Sequence, residues 1–370
     1  GYTVRMKVAL ASFLILFSSV SAVSAQELVP DTVATMKARV VEIQSEEVRA
    51  VPGTDITATY QMIRAEILEG AEEGRAVAIE NDFLSLGEGD IFYLMHTTSS
   101  LDGTDYYSVL ERDRTPVLLG LLLLFIAVVI LFGGKQGARG LLALFASFVF
   151  IGAFLLPGIL AGYSPALVSI GVASLIVLIG SYVTHGFTRT TSAAVIGMII
   201  TIILTGLLAY VAIALTALQG WSSDEITYLN LNARGTIDLT GLLLGGILIG
   251  LLGVLYDAAI GQAVSVEELG SAGTHLTRGE IYLRALRIGR EHVGALVNTL
   301  AIAYAGAALP LLLLFHQTGD LNLGLTINRE IFATEIVRIL VGSIGLVLAV
   351  PITTAVAVRM LIERSSRKID

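Results

Sequence analysis

The segment Gly241–Asp257 reads GLLLGGILIGLLGVLYD, an apolar stretch rich in glycine that ends in an acid. Steps of four, three, four and four separate Gly246, Gly250, Gly253, Asp257 and Gly261, which places them on one face of an α-helix. Small residues let a neighbouring helix approach closely, and an ionisable group at membrane depth usually faces a bundle interior or a watery cavity. The segment therefore predicts a membrane-spanning helix with a glycine packing face and a sheltered carboxylate.

The composition is that of an integral membrane protein. Of 370 residues, 55% are hydrophobic and 15% are charged, and the mean hydropathy is +0.80, well above that of a soluble globular domain. The 38 glycines lie largely in apolar runs, which favours closely packed transmembrane helices. The sequence contains no cysteine, so disulfides, thiolate catalysis and cysteine metal sites are excluded.

The first 25 residues resemble an export signal. Arg5 and Lys7 precede an apolar run, Val8–Val20, and Val23–Ala25 has the small-x-small form of a cleavage site. This pattern predicts a secretory signal peptide over residues 1–25, with an uncleaved N-terminal anchor as the alternative. Both interpretations place the following segment outside the cytoplasm.

Residues 26–115 predict an exported soluble domain. They include 18 acidic and 7 basic residues and no run long enough to span a bilayer. Turn residues separate five short β-like segments, at residues 38–43, 56–68, 75–81, 90–95 and 106–110. Five such strands predict a small β-barrel of OB-like type. The acidic composition argues against nucleic acid as a partner and leaves an envelope protein as a candidate partner.

Residues 116–358 predict an α-helical membrane domain of about seven transmembrane helices. Seven apolar spans are each long enough to cross, at residues 116–134, 141–162, 165–184, 192–218, 237–260, 293–315 and 331–358. With the soluble domain outside, the basic residues concentrate in the cytoplasmic loops and in the basic tail, residues 359–370, while the outer loops carry only Arg234 and Arg329. This distribution predicts a bacterial cytoplasmic-membrane protein with a cytoplasmic C-terminus.

A charged segment lies between the fifth and sixth spans. Thr277 and Glu280 have the spacing of a capping box, and an interfacial helix over residues 277–290 is predicted to run into the sixth span. A solvated charged loop is the alternative. In the seventh span, the three-residue spacing of Glu335 and Arg338 predicts that these two residues pair with each other.

The fifth and sixth spans carry the candidate site. Steps of three and four place Glu291, Gly294 and Asn298 on one face of the sixth span, and His292 stands beside it. If the two spans face each other, one polar ligand or ion site is formed by Asp257, Gln262, Glu291, His292 and Asn298. The functional interpretation is a proton- or cation-responsive carboxylate at Asp257. The alternative is a purely structural cluster that ties helix ends together.

Enzyme signatures are absent from the sequence. It contains no Walker lysine loop, no nucleophile elbow and no H-E-x-x-H motif. We therefore predict no catalytic residues, no cofactor and no metal, and an intramembrane enzyme ranks third among the functional classes.

Two stretches resemble a known family. Gly241–Asp257 and Arg287–Gly306, the latter reading RIGREHVGALVNTLAIAYAG, resemble the YibE/F-like multitransmembrane proteins, as do the shorter Leu156–Pro157 and Thr184–Phe187. The glutamine that follows Asp257 and the histidine that follows Glu291 are similar to actinobacterial-type members, although the family usually has aspartate at position 291. The resemblance implies a β-rich exported domain before the helices and specifies no activity.

The leading functional hypothesis is a membrane permease for a small solute or ion, with Asp257 in its site. A non-transporting envelope scaffold that binds a partner is the alternative. Small-residue faces pack between subunits as readily as within one, so a homo-oligomer also stays open. Neither the solute nor the direction of movement follows from the sequence.

Overall fold

The structure is a computed structural model that describes residues 31–50, 53, 57–82, 84–221, 224–232, 237–272, 276–317 and 322–362. The chain divides into two compact units, residues 1–124 and 125–370. The predicted signal peptide or anchor, Arg234 and most of the predicted basic tail lie outside the described residues.

The first unit contains a five-stranded antiparallel sheet, which confirms the predicted β-rich segment. Its strands are β1 (Thr32–Ala50), β2 (Thr57–Ile67), β3 (Ala76–Asn81), β4 (Ile91–Thr98) and β5 (Asp105–Arg112). The strand order is β3-β2-β1-β4-β5, so β1 lies at the centre and pairs with both β2 and β4.

Alternating burial builds the core of this sheet. In β2, every second residue from Gln61 to Ile67 is buried, and the apolar ones among them pack with Phe92 and Leu94 of β4. Strand β1 is much longer than its predicted segment, because pairing shifts between Val40 and Glu42 and again between Ile43 and Ser45. Such bulges interrupt the two-residue alternation by which a strand is recognised in a sequence.

Polar contacts join the two edges of the sheet. Strands β3 and β5 contact each other although they are not hydrogen-bonded neighbours. The hydroxyl of Tyr107 in β5 donates to Glu72 Oε2 at 2.8 Å in the β2–β3 connection, and the Tyr107 ring stacks on His96 at 4.6 Å. The sheet therefore curls into a half-barrel.

The described residues beyond Arg114 are almost entirely helical. The helices are α1 (Thr115–Phe150), a π-helical turn (Ile151–Leu155), α2 (Leu156–Leu160), α3 (Pro165–His185), α4 (Arg189–Thr216), α5 (Asp224–Asn232), α6 (Leu239–Ala272), α7 (Arg278–Ala307), α8 (Leu309–Gln317), α9 (Leu323–Asn328) and α10 (Glu330–Leu361). Among the described residues, five helical stretches are long and apolar enough to cross a bilayer, or six when α7 and α8 count as one bent span.

The difference from the seven predicted spans lies in α1. Residues 115–160 form one apolar stretch that contains both of the first two predicted spans. Gly134 interrupts the helix with a φ of 52°, a left-handed conformation that glycine adopts readily. A Cβ built on Gly137 would meet the carbonyl oxygen of Val129, which an unbroken helix would keep about 12 Å away along its axis. The chain therefore turns back at Gly134.

Close glycine contacts fix how α3 and α6 pack. A Cβ on Gly241 would lie 3.1 Å from Pro165 Cδ, and a Cβ on Gly245 would meet Ser169 Oγ. Both pairs have the same order along the two helices, so α3 and α6 run parallel. The small residues let the two helix backbones approach closely, as expected for a membrane bundle.

Helices α4 and α10 form a second close pair. A Cβ on Gly197 would meet the Oγ1 and Cα atoms of Thr353, and a Cβ on Gly345 would meet the side chain of Thr205. The order of the contacts is reversed between the two helices, which therefore run antiparallel. Each helix supplies a glycine for the threonine of the other.

Helix α7 combines the predicted interfacial helix and the predicted sixth span in one continuous element. The predicted capping box is present: Thr277 Oγ1 accepts from Glu280 N at 3.3 Å, and Glu280 Oε2 accepts from Thr277 N at 2.8 Å. Its far end bends by 68° into α8, where Pro310 lacks the backbone donor needed to continue the helix. Contacts of Gln262 with Ala285 and of Arg278 with Ile362 place α7 antiparallel to both α6 and α10.

Candidate functional site

The face of α6 that carries Asp257 is open within one chain. Asp257 and the four glycines at 246, 250, 253 and 261 are exposed. A Cβ at Gly246, Gly253 or Gly261 would meet no atom within 4 Å, whereas a Cβ at Gly250 would meet the Tyr304 hydroxyl. Helix α3 packs instead on Gly241 and Gly245, which lie on another face of α6. Close packing on the three open glycines is not made by the described residues and stays a prediction.

A polar cavity of about 360 Å³ lies on one flank of this face, between α6, α7 and α10. Its lining consists of Asp257, Ala258, Gly261, Gln262, Ser265, Gly289, His292, Ala295, Leu296 and Val350. The structure thus brings together three of the five predicted site residues, which are Asp257, Gln262 and His292.

The polar cavity offers several hydrogen-bond acceptors in addition to the His292 ring. Gln262, only 4% exposed, donates from Nε2 to the Ala285 carbonyl oxygen at 2.6 Å. Ser265 Oγ donates to the Gly261 carbonyl oxygen at 2.8 Å. These contacts use donors of both side chains, so the Gln262 carbonyl oxygen and the Ser265 lone pairs remain as acceptors beside the Asp257 carboxylate. The cavity suits a ligand that is cationic or rich in donors.

An apolar cavity of about 590 Å³ lies on the other flank of α6, against α3 and the second half of α1. Its lining consists of Gly140, Ala143, Leu144, Ser147, Phe148, Ile151, Ile176, Val177, Gly180, Thr184, Ile249, Leu252, Gly253, Val254, Tyr256 and Asp257. Its α6 residues run from 249 to 257, and those of the polar cavity run from 257 to 265. Among the described residues, Asp257 is the one that lines both cavities.

The hydroxyl groups that line the apolar cavity donate hydrogen bonds to backbone carbonyl oxygens. Ser147 Oγ donates to the Ala143 carbonyl oxygen at 2.9 Å, and Thr184 Oγ1 donates to that of Gly180 at 2.8 Å. The Tyr256 hydroxyl also points to the Gly180 carbonyl oxygen, at 3.4 Å. Asp257 is therefore the one charged group among the described lining residues of this cavity.

Tyr304 covers the Asp257 face at Gly250, seven residues and roughly 10 Å from the carboxylate along the helix. Its buried hydroxyl has no hydrogen-bond partner among the described residues. The Arg338 guanidinium lies 5.9 Å from the centre of the Tyr304 ring, and Arg338 Nη1 pairs with Glu335 Oε1 at 3.2 Å, as the sequence predicts. Tyr304 thus covers this face at Gly250, between Gly246 and Gly253, at which a Cβ would meet no atom within 4 Å.

The profile of the YibE/F-like protein family matches residues 121–363, more than half of the chain. The chain belongs to the YibE/F-like family. The matched region includes α6 and α7, the helices that supply Asp257 and His292. No curated protein and no solved structure matches the chain.

The structure does not bring Glu291 and Asn298 to the polar cavity of this family member. Successive residues of a helix project about 100° apart, so Glu291 points well away from His292. Asn298 and Gly294 also lie on the outward side of α7, and all three are exposed. A Cβ on Gly294 would meet no atom within 4 Å, so its predicted packing role is not seen within one chain.

Sequence reasoning missed two contributors to the polar cavity. Ser265 lies two steps of four beyond Asp257, so its place on the same face was readable from the spacing. Gly289 lets α7 approach: a Cβ there would lie 2.5 Å from Val350 Cγ1 and 2.7 Å from Gln262 Oε1. No group of three or more histidine, aspartate or glutamate side chains in the described part of the chain is placed to hold a metal ion.

Proposed function

We propose that this YibE/F-like protein is a permease for a small solute or ion in the bacterial cytoplasmic membrane. The supporting observation is the position of Asp257, at the meeting point of an apolar cavity along residues 249–257 and a polar cavity along residues 257–265 of α6. A transporter must expose one central site to each side in turn. Two cavities displaced along one helix, with a shared carboxylate, suit that requirement.

The proposal includes seven membrane crossings. The reversal at Gly134 divides the first apolar stretch into crossings before and after that residue, and the bent pair α7–α8 supplies another. Together with α3, α4, α6 and α10 this makes seven, an odd number, so the proposal has the first unit outside and the C-terminus in the cytoplasm, on opposite sides of the membrane. The basic residues of the loops agree with that orientation.

We also propose that the exported sheet is an OB-like barrel that binds an envelope protein. Central β1 pairs with β2 and β4 while β3 meets β5, which is the neighbour order of a five-stranded Greek-key barrel. The acidic composition of this segment favours a basic protein partner and disfavours nucleic acid. No enzymatic activity is part of the proposal.

Flux into vesicles tests the permease. The full chain is reconstituted into liposomes, and uptake of protons, sodium, methylammonium and tetraphenylphosphonium is followed with entrapped pyranine and with labelled ions, relative to protein-free liposomes. Asp257→Asn should lower the flux of the transported cation at least tenfold, because the neutral amide cannot balance its charge. The matched control is Glu268→Gln, on the same helix and outside the lining of both cavities.

Two results would contradict the permease. One is Asp257-independent flux, and the other is vesicles that pass none of these cations while containing correctly assembled protein. The second result would favour the non-transporting scaffold, for which the exported domain is the functional part. A monodisperse elution profile of Asp257→Asn in detergent establishes that lost flux is not lost folding.

A further inference from the structure

The apolar cavity has the size and the lining of a binding site for an organic molecule. Its volume of about 590 Å³ falls within the range of about 300–1,000 Å³ that is usual for small-molecule sites. Leu144, Phe148, Ile176 and Leu252 supply much of its wall. An inorganic ion would leave this surface unused, because such a wall stabilises hydrocarbon and not hydrated charge.

Electrostatics select the sign of the occupant. Asp257 ends the apolar cavity, and the hydroxyl groups of Ser147, Thr184 and Tyr256 are directed to backbone carbonyl oxygens. His292 is the one basic side chain among the described lining residues of the two cavities, which include no lysine or arginine. A carboxylate in a weakly polar environment is stabilised by a permanently positive partner. An anion or a neutral hydrocarbon would leave Asp257 without one.

We propose that the transported solute is a lipophilic organic cation, with its apolar body in the cavity along residues 249–257 and its positive charge at Asp257. The polar cavity, with its acceptors from Gln262 and Ser265, receives the charged group on the other flank of α6. This assignment rests on the proposed permease function and adds the chemical class of its substrate. The competing occupant of the apolar cavity is a lipid acyl chain, which would make no favourable interaction with the carboxylate.

Binding of two ions that share a shape and differ in charge tests the assignment. Tetraphenylphosphonium and tetraphenylborate are titrated separately into purified full-length protein in detergent, and saturable binding is measured by equilibrium dialysis. The phosphonium should bind saturably and the borate should not. Asp257→Asn should weaken phosphonium binding at least tenfold, because the neutral amide does not attract the positive charge of the ion as the carboxylate does.

A pair of glycine variants tests the location independently of the charge. Gly253 lines the apolar cavity and has open space where a side chain would grow, so Gly253→Leu should fill the cavity without a clash and weaken phosphonium binding at least tenfold. Gly246→Leu is the matched control, because Gly246 is equally open on the same face and lines neither cavity. Its binding should equal that of the wild type.

The binding and flux results together distinguish the lipophilic-cation assignment from the permease function. Equal binding of the two ions, or phosphonium binding that survives both Asp257→Asn and Gly253→Leu, overturns the lipophilic-cation assignment and favours a lipid chain in the cavity. Asp257-dependent flux of sodium or protons would then leave the permease intact with a different substrate. Asp257-dependent phosphonium binding in a protein that moves no cation would instead uphold the site and contradict the permease.

Discussion

Two helix faces that carry glycines in this bundle differ in packing: one is in close contact with a neighbouring helix and the other is open. Between α4 and α10, Gly197 receives Thr353 and Gly345 receives Thr205, and the helices are in close contact. Along α6, the glycines at 246, 253 and 261 meet nothing within 4 Å, and the face holds Asp257. Spacing of small residues alone does not distinguish the two faces, because both repeat at helical steps.

On the face between α4 and α10, the closed face, buried polar groups are partly compensated by packing, which is not the case on the Asp257 face of α6, the open face. The hydroxyl groups of Thr205 and Thr353 are buried without a hydrogen-bond partner among the described residues. Each lies where the opposite glycine carries a hydrogen in place of Cβ, a geometry that allows a weak Cα–H···O contact. Packing thus compensates in part for the polar groups on α4 and α10. On α6 the ionisable Asp257 has no such contact, and space remains on both of its flanks.

The largest effect is expected from Gly197→Ala on the closed face. The added methyl group would meet the Thr353 backbone as well as its side chain, and a backbone atom cannot rotate away. Overpacking of this kind costs about 1–3 kcal/mol of unfolding free energy. Thermal unfolding of the purified protein in detergent should show a clearly lower midpoint. An unchanged midpoint would mean that α4 and α10 are less closely packed than the structure shows.

A smaller loss is expected from Gly250→Ala, where the obstacle is the outer end of the Tyr304 ring, which can tilt. Destabilisation of about 1 kcal/mol is expected, in the lower part of the overpacking range. Tyr304→Phe removes the hydroxyl that the new methyl group would meet, so the double variant should recover part of the loss. A double-mutant cycle by thermal unfolding measures this coupling, and strict additivity would contradict the Tyr304–Gly250 contact.

Gly253→Ala on the open face is expected to raise the free energy of unfolding, whereas Gly197→Ala and Gly250→Ala lower it. Alanine should stabilise α6 by about 0.5–1 kcal/mol, because glycine loses more backbone entropy in a helix and no atom obstructs its Cβ. The same unfolding assay compares it directly with Gly197→Ala. A destabilisation similar to that of Gly197→Ala would show that another chain covers the open face, and a concentration-dependent midpoint would identify that chain as a second copy.

The comparison also shows what could be predicted from the sequence. The face of α6 followed from its spacing, and the five strands followed from alternation and turn residues. The reversal at Gly134 was predicted only as a gap between two spans, since a continuous apolar run does not reveal a backbone angle. The spacing of Glu291, Gly294 and Asn298 correctly predicts that they share one face of α7, but it does not reveal that the neighbouring face, about 100° away and carrying His292, is the one that lines the cavity. Gly289 was missed because its role depends on Val350, far away in the chain.

The smallest effect is expected in the N-terminal sheet, where charge and not small residues makes the contact between the central strand β1 and the residue that follows β5. Lys37 Nζ lies 2.9 Å from Asp113 Oδ2, and Asp113 Oδ1 accepts from Thr115 N at 3.0 Å. Lys37, and then Thr115, lower the pKa of Asp113 from 3.8 to about 2. The contact therefore stabilises the folded chain fully above about pH 4, and this stabilisation is lost as the pH falls toward 2.

Asp113→Asn should accordingly weaken protection of the β1 and β5 amides at pH 5–7, and the difference from the wild type should vanish near pH 2. Hydrogen exchange of the full chain, read by mass spectrometry at matched pH, measures both. Glu111→Gln is the control, because Glu111 pairs with Arg114 at 2.6 Å but both side chains are more than half exposed, and such surface pairs contribute little. A pH-independent effect of Asp113→Asn would assign its role to shape and not to charge, in which case the N-terminal sheet would follow the same steric rule as the α4–α10 face.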